Sequence, residues 1–80
     1  MKSHDPAPDA RGVRVVGAWV LHVVLEDGRA GPFDVAPLLA HPAYEALRDP
    51  AYFAQASIVH GVVTWPSGED LAPEKVAAGL

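Results

Sequence analysis

The sequence predicts an α+β fold: one small antiparallel sheet of about five strands, with short helices between strands 3 and 4 and one C-terminal helix. Three observations carry this expectation. Residues 19–26 alternate apolar and polar side chains with the period of a half-buried strand. Asp27-Gly28 follows at once, a hairpin signal between two strand-like runs. The middle of the chain then loses the period of two and carries helix starts of the Asp-Pro kind, Asp49-Pro50 above all.

Taken in order, residues 1–10 hold two Pro and several polar groups without a period and read as a flexible N-terminal tail. Residues 11–80 read as a single domain. The first strand spans 11–17 through Val13, Val15 and Val16, and Gly17-Ala18 is a weak turn signal. In the second strand Trp19, Leu21, Val23 and Leu25 share the core face, while Val20, His22, Val24 and Glu26 share the other. A type I′ turn at Asp27-Gly28, with φ > 0 at both central residues, leads into a return strand over 29–35. Gly31-Pro32 makes that strand short, bulged or an edge, because Pro donates nothing to the ladder.

Three short helical pieces follow. Asp34 caps the first, which runs through Pro37, Leu38 and Leu39. His41-Pro42 starts the second, with Tyr44 and Leu47, and Asp49-Pro50 starts the third, with Tyr52 and Phe53. None is long enough to stand without packing. Residues 57–60 and 62–65 read as strands joined by a tight turn at His60-Gly61. Pro66 stops the last strand, Ser67-Gly68 turns, and Pro73 opens a final helix over 74–78 that Gly79 ends.

Composition narrows the function classes. Half of the 80 residues are hydrophobic, including two Trp, two Tyr and two Phe, which argues for a packed core. No cysteine is present, so disulfides, thiolate metal sites and thiol nucleophiles are excluded. A small domain without such staples fits a reducing compartment, and a cytoplasmic location is expected. The longest apolar run, residues 18–25 with His22 inside it, falls short of the ~20 residues of a membrane span. Residues 1–6 lack the apolar stretch of a signal peptide. The net charge of −4 and the scattered Lys2, Arg11, Arg14, Arg29, Arg48 and Lys75 speak against direct nucleic-acid binding.

No residue set assembles chemistry. His4, His22, His41 and His60 lack the spacing of metal ligands, so no metal and no cofactor is expected. Glu69, Asp70 and Asp34 are candidates for paired carboxylates, but Asp70 lies just before a Pro-initiated helix, where a carboxylate caps backbone N–H groups. Ser3, Ser57 and Ser67 sit in no nucleophile elbow. Gly28, Gly31, Gly61 and Gly68 are isolated turn glycines rather than a phosphate cradle. Trp19 and Trp65, aromatics on strands, read as core.

Four blocks occur in a fixed order: Leu25-Glu26-Asp27-Gly28-Arg29, Asp34-Val35-Ala36-Pro37-Leu38-Leu39, Leu47-Arg48-Asp49-Pro50-Ala51-Tyr52-Phe53, and a last block from Trp65-Pro66 to Pro73-Glu74. This ordered set, over residues 13 to about 76, resembles the bacterial family called domain of unknown function 2442. The resemblance implies an α+β fold with an antiparallel sheet and no established activity. It also implies that some relatives carry a helix-turn-helix segment, while others sit beside a second small protein in the manner of toxin–antitoxin pairs. The chain departs from the family pattern at Gly31-Pro32, at Ser67 and at Ala72, where a capping Ser is common.

The function expected is therefore a non-enzymatic protein-interaction module, self-associating or bound to another small protein. Val20, His22 and Val24 are its candidate contact residues, with Val62 and Thr64 expected on the same face. The alternatives are a regulatory subunit that reaches DNA through another chain, which a cluster of Arg11, Arg14 and Arg29 would favour, and a small enzyme. A pocket joining His22 or His60 to Asp34 or Asp70 would favour the enzyme.

Overall fold

A computed structural model describes residues 7–80. Most of the expected tail, with Lys2, Ser3 and His4, lies outside the described residues. The chain forms two three-stranded antiparallel sheets rather than one sheet of five strands. The first joins β1 (Ala10–Gly17), β2 (Val20–Leu25) and β3 (Ala30–Asp34) in the order β1-β2-β3. Its first strand takes in Ala10, a buried residue at the edge of the expected tail. The return strand is an edge, and Pro32 is accommodated there opposite His22.

The alternation in β2 sets the fold. Leu21, Val23 and Leu25 are each 0 % exposed, while Val20, His22 and Val24 are half-buried on the opposite face. Trp19 does not extend this row. It sits in the turn before β2 at φ 63°, left-handed backbone, which re-aims its ring.

The tight turn expected at His60-Gly61 is present, but the turn at Asp27-Gly28 is not of type I′. At Leu25, the N–H of Gly28 donates to the Leu25 carbonyl and the N–H of Leu25 donates to the Arg29 carbonyl, at 3.0 and 2.8 Å. That is a three-residue loop in which Gly28 alone has positive φ, +94°. The type I′ turn is instead at His60-Gly61, where both central residues are left-handed, at φ 51° and 80°. It links β4 (Ser57–Val59) to β5 (Val62–Thr64).

Between the sheets run two 3-10 helices, Ala36–Ala40 and Pro42–Arg48, then α1 (Pro50–Phe53). The side chain of Asp34 accepts from the N–H of Ala36, and that of Asp49 caps α1 through the N–H of Ala51, both at 3.0 Å. His41 stands at a cap position without a capping bond from its side chain.

The sixth strand, β6 (Asp70–Leu71), is too short to show a period in the sequence. Pro66-Ser67-Gly68 forms the same three-residue loop as the first hairpin. Gly68 N–H donates to Trp65, Trp65 N–H donates to Glu69, and Gly68 has φ +101°. Asp70 pairs with Thr64 in this strand and does not cap the last helix. That helix, α2 (Pro73–Gly79), begins at Ala72 without a side-chain cap, as the missing Ser foretells. Its end packs on β3: a Cβ on Gly79 would meet the Phe33 ring at 2.6 Å, and one on Gly31 would touch Leu80.

Leu21, Val23 and Leu25 from the first sheet, with Val35 just after it, meet Val63 and Leu71 from the second, Trp65 from the loop between β5 and β6, and Leu47, Phe53 and Val76 from the helices. Trp65 is 1 % exposed. Its indole N–H donates to the Phe53 carbonyl at 2.9 Å, and its ring stacks on Phe53 with centroids 5.9 Å apart.

Candidate interaction site

Three surface regions hold side chains that the core does not absorb. The first is the open face of the β1-β2-β3 sheet. Cross-strand pairing sets Gly12, Val24 and Ala30 in one row, Arg14, His22 and Pro32 in the next, and Gly17, Val20 and Asp34 in the last. Val20 and Val24 are not among the residues packed on the core. The row is small and apolar apart from Arg14, His22 and Asp34. Asp34 lies diagonal to His22, but its carboxylate is held by the Ala36 N–H. Val62 and Thr64 belong to the other sheet, so they do not extend this face.

The second region is polar. Tyr52 donates its hydroxyl proton to Glu69 Oε1 at 2.6 Å and accepts from the Ser67 N–H at 2.7 Å. Tyr44 donates to the Asp70 carbonyl at 3.0 Å. Both tyrosines clamp the β5–β6 hairpin to the helical segment, beside a shallow groove of about 340 Å³ lined by Tyr44, Ser67, Gly68, Glu69 and Asp70. The Tyr52 hydroxyl is already used both as donor and as acceptor, so its bonds are structural. Sequence reasoning missed this clamp because its partners lie 15–26 residues apart.

The third region is the second half of β1 with the turn that follows. The first half of β1 is closed off: Ala10 N–H donates to the Gly61 carbonyl at 2.8 Å, and the strand lies against β4. Arg14, Val15, Val16 and Gly17 are all exposed, with Val16 at 49 %. β1 pairs with β2 alone among the described residues, so its outer backbone edge is open there. Next to it lies an apolar hollow of about 220 Å³ lined by Val15, Gly17, Ala18, Trp19, Pro50 and Phe53. Trp19 forms one wall, its ring edge-on to Phe53 at 5.4 Å. A bulky residue held at φ 63° carries strain of roughly 1–3 kcal/mol, a feature concentrated at functional positions. The sequence held one signal of this region: the consecutive Val15-Val16 breaks the alternation, so one of the two must face outward.

The charged groups are dispersed. Arg29 pairs with Asp27 at 2.9 Å, the one ion pair among the described residues. The Asp27 carboxyl is held below its ordinary value chiefly by the backbone N–H of Arg29, with the Arg29 guanidinium adding to it. Arg29 is thus engaged apart from Arg11 and Arg14. Arg48 donates to the Leu39 carbonyl and closes the end of the first 3-10 helix. His22 lies on the open sheet face, His60 at the tip of the β4–β5 turn, and Asp70 in β6, so these three do not converge. Among the described residues no group of three or more His, Asp or Glu side chains is placed to hold a metal ion. No helix among them is long and apolar enough to cross a membrane.

The family model described as "Protein of unknown function (DUF2442)" matches residues 10–80. No curated protein and no solved structure gives a significant match.

Proposed function

The chain belongs to the DUF2442 family of proteins of unknown function, and we propose that it is a non-enzymatic interaction module, working by contact with a second copy or with another small protein. The observation that carries this reading is the one-sided burial of the central strand. Leu21, Val23 and Leu25 are sealed in the core, whereas Val20, His22 and Val24 on the other face are half-buried, and Val20 and Val24 do not pack on the core. An antiparallel sheet tolerates one wet face, but this one is lined largely by Gly, Val, Ala and Pro rather than by charged side chains. The family resemblance, with relatives placed beside a second small protein, supports a heterologous partner of the toxin–antitoxin kind.

The test is a double variant, Val20→Lys with Val24→Glu, compared with the parent by light scattering and by pull-down, with circular dichroism to confirm folding. The reading expects a folded variant that loses association. If the variant stays folded and every association persists, the open face is not the contact surface.

A further inference from the structure

We infer that the open half of β1, together with the hollow beside Trp19, receives an extended acidic segment of a partner protein, which adds as a strand and seats one large apolar side chain in the hollow. The inference rests on the reading of the chain as an interaction module and places a contact away from the open sheet face.

Four observations converge on this place. First, the two ends of the sheet are treated differently. The β3 edge carries Pro32 and is covered by the end of α2. The first half of β1 is covered by β4 and the His60-Gly61 turn. Residues 14–17 form the longest exposed run of β1, and Val15 and Val16 make it apolar. This edge carries Arg14 and a register shift between Val15 and Gly17, so a partner strand pairs with it over a short stretch only. Second, the hollow opens beside this edge. Its volume of about 220 Å³ exceeds the ~150 Å³ that holds a benzene ring, so it takes one large aliphatic or aromatic side chain. Third, the hollow is walled by Trp19, whose left-handed backbone holds the ring where the hollow needs a side. Side chains of an added strand alternate, so one residue enters the hollow while its neighbours face away.

The fourth observation fixes the chemistry of the occupant. The protein is acidic, with a net charge of −4, yet β1 carries Arg11 and Arg14, both exposed and both without a carboxylate partner among the described residues. A segment with Asp or Glu flanking its apolar residue meets these two cations, whereas a basic one is repelled. A second copy supplies the same Arg-rich strand edge to edge and lacks that complementarity. Nucleic acid needs a broader basic face than two arginines.

The probe is a blocked hexapeptide, Val-Asp-Leu-Asp-Val-Thr, in which the two Asp next to the Leu face the Arg14 side of the sheet, titrated into the full chain by calorimetry and by amide NMR. A Lys peptide replaces both Asp residues, and an Ala peptide replaces the Leu. Saturable one-to-one binding is expected, with shifts at the amides of Val16, Gly17 and Trp19. The Lys peptide should bind about threefold or more weakly, the effect of exposed charges. The Ala peptide should bind roughly tenfold more weakly, having lost a buried side chain. In Arg14→Glu the preference between Asp and Lys peptides should reverse, and Val15→Lys should weaken both. Ala30→Lys, on the far strand of the open sheet face, should leave peptide binding unchanged, which separates this surface from the rest of that face. The inference is overturned if millimolar peptide moves none of these amides, or if Arg14→Glu leaves the order of peptides as it was. It is equally overturned if the chain self-associates and Val15→Lys abolishes that association, which would make the occupant a second copy.

Discussion

Trp65 ties the two halves of the core together, and its removal is the most direct check on the packing. The side chain is 1 % exposed, stacks on Phe53 and donates its indole N–H to the Phe53 carbonyl at 2.9 Å. An aromatic of this size buries about 150–250 Å², worth roughly 4–6 kcal/mol at 25 cal/mol per Å². Partial collapse of the site lowers the observed loss, so Trp65→Ala should destabilise by about 3–5 kcal/mol. A domain of about 70 residues has a total stability of roughly 4–11 kcal/mol, so this variant will be close to unfolded. Trp65→Phe is the finer probe. It keeps the stack but removes the indole donor, and the Phe53 carbonyl retains a longer bond from the Ala56 N–H at 3.3 Å. The carbonyl is therefore not orphaned, and the loss should be about 1–2 kcal/mol, the lower end for a broken buried hydrogen bond plus a small void. Urea unfolding followed by far-UV circular dichroism measures both. A loss under about 1 kcal/mol for Trp65→Ala, the range of surface substitutions, would refute the packing described and return Trp65 to the surface.

Three further outcomes are expected. Gly28→Val should destabilise more than Gly28→Asn by urea titration: nothing lies within 4 Å of the added Cβ, so only the φ of +94° discriminates, and Asn tolerates left-handed backbone where Val does not; equal losses would remove the turn assignment. Asp27 has a folded pKa below its unfolded value of about 3.9, so its stabilisation is present above that value and is lost as pH falls through the folded one. Asp27→Asn should accordingly flatten the fall of the urea midpoint as pH drops below about 4 relative to the parent, and an unchanged slope would contradict the shift. Calorimetry with zinc should give no saturable heat at micromolar concentration, given the dispersed His and carboxylates; one stoichiometric event would show a site that the side-chain placement does not explain.

What could be read from the sequence divides along the range of the interactions. The inward row of β2, the Asp49-Pro50 helix start, the left-handed Gly28 and the poorly capped last helix all follow from neighbours within four residues, and each stands in the structure. The split into two sheets does not. It depends on β1 lying beside β4, about 45 residues away, with one backbone bond from Ala10 to Gly61 in the turn after β4. Two misread turns have the same root. Asp-Gly suits both the two-residue and the three-residue hairpin, and the choice falls to the register of β2 on β3. Trp19 continues the apolar row by pattern, yet it is drawn into the turn, where its carbonyl accepts from the Val35 N–H at 2.7 Å. At the candidate surfaces, Val20, His22 and Val24 were legible as one face because strand period is local. The hollow beside Trp19 was not, because Pro50 and Phe53 reach it from another element.

The seam between the sheets makes a last quantitative demand. Asp9 and Ala10 join both sheets: the Glu26 N–H donates to the Asp9 carbonyl and the Ala10 N–H donates to the Gly61 carbonyl, each at 2.8 Å. Gly61 has φ +80°, and a Cβ there would clash with Asp9 Cγ and stand 2.6 Å from Asp9 Cβ. Gly61→Ala therefore carries two penalties. Left-handed backbone with a Cβ costs about 1–2 kcal/mol. Displacement of Asp9 weakens the two seam bonds, each worth about 0.5–1.5 kcal/mol. Gly28→Ala carries the first penalty alone, since its Cβ position is open. The difference between the two variants, about 1–2 kcal/mol, thus reports the seam. Asp9→Gly removes both clashing atoms, so in combination with Gly61→Ala it should restore about 1 kcal/mol relative to the sum of the single effects. Urea titration of the four proteins in that cycle gives the number. If Gly61→Ala costs no more than Gly28→Ala and Asp9→Gly restores nothing, the start of β1 does not lie against the His60-Gly61 turn. The first half of β1 would then be an open edge as well, and the case for confining a partner strand to residues 14–17 would lose its premise.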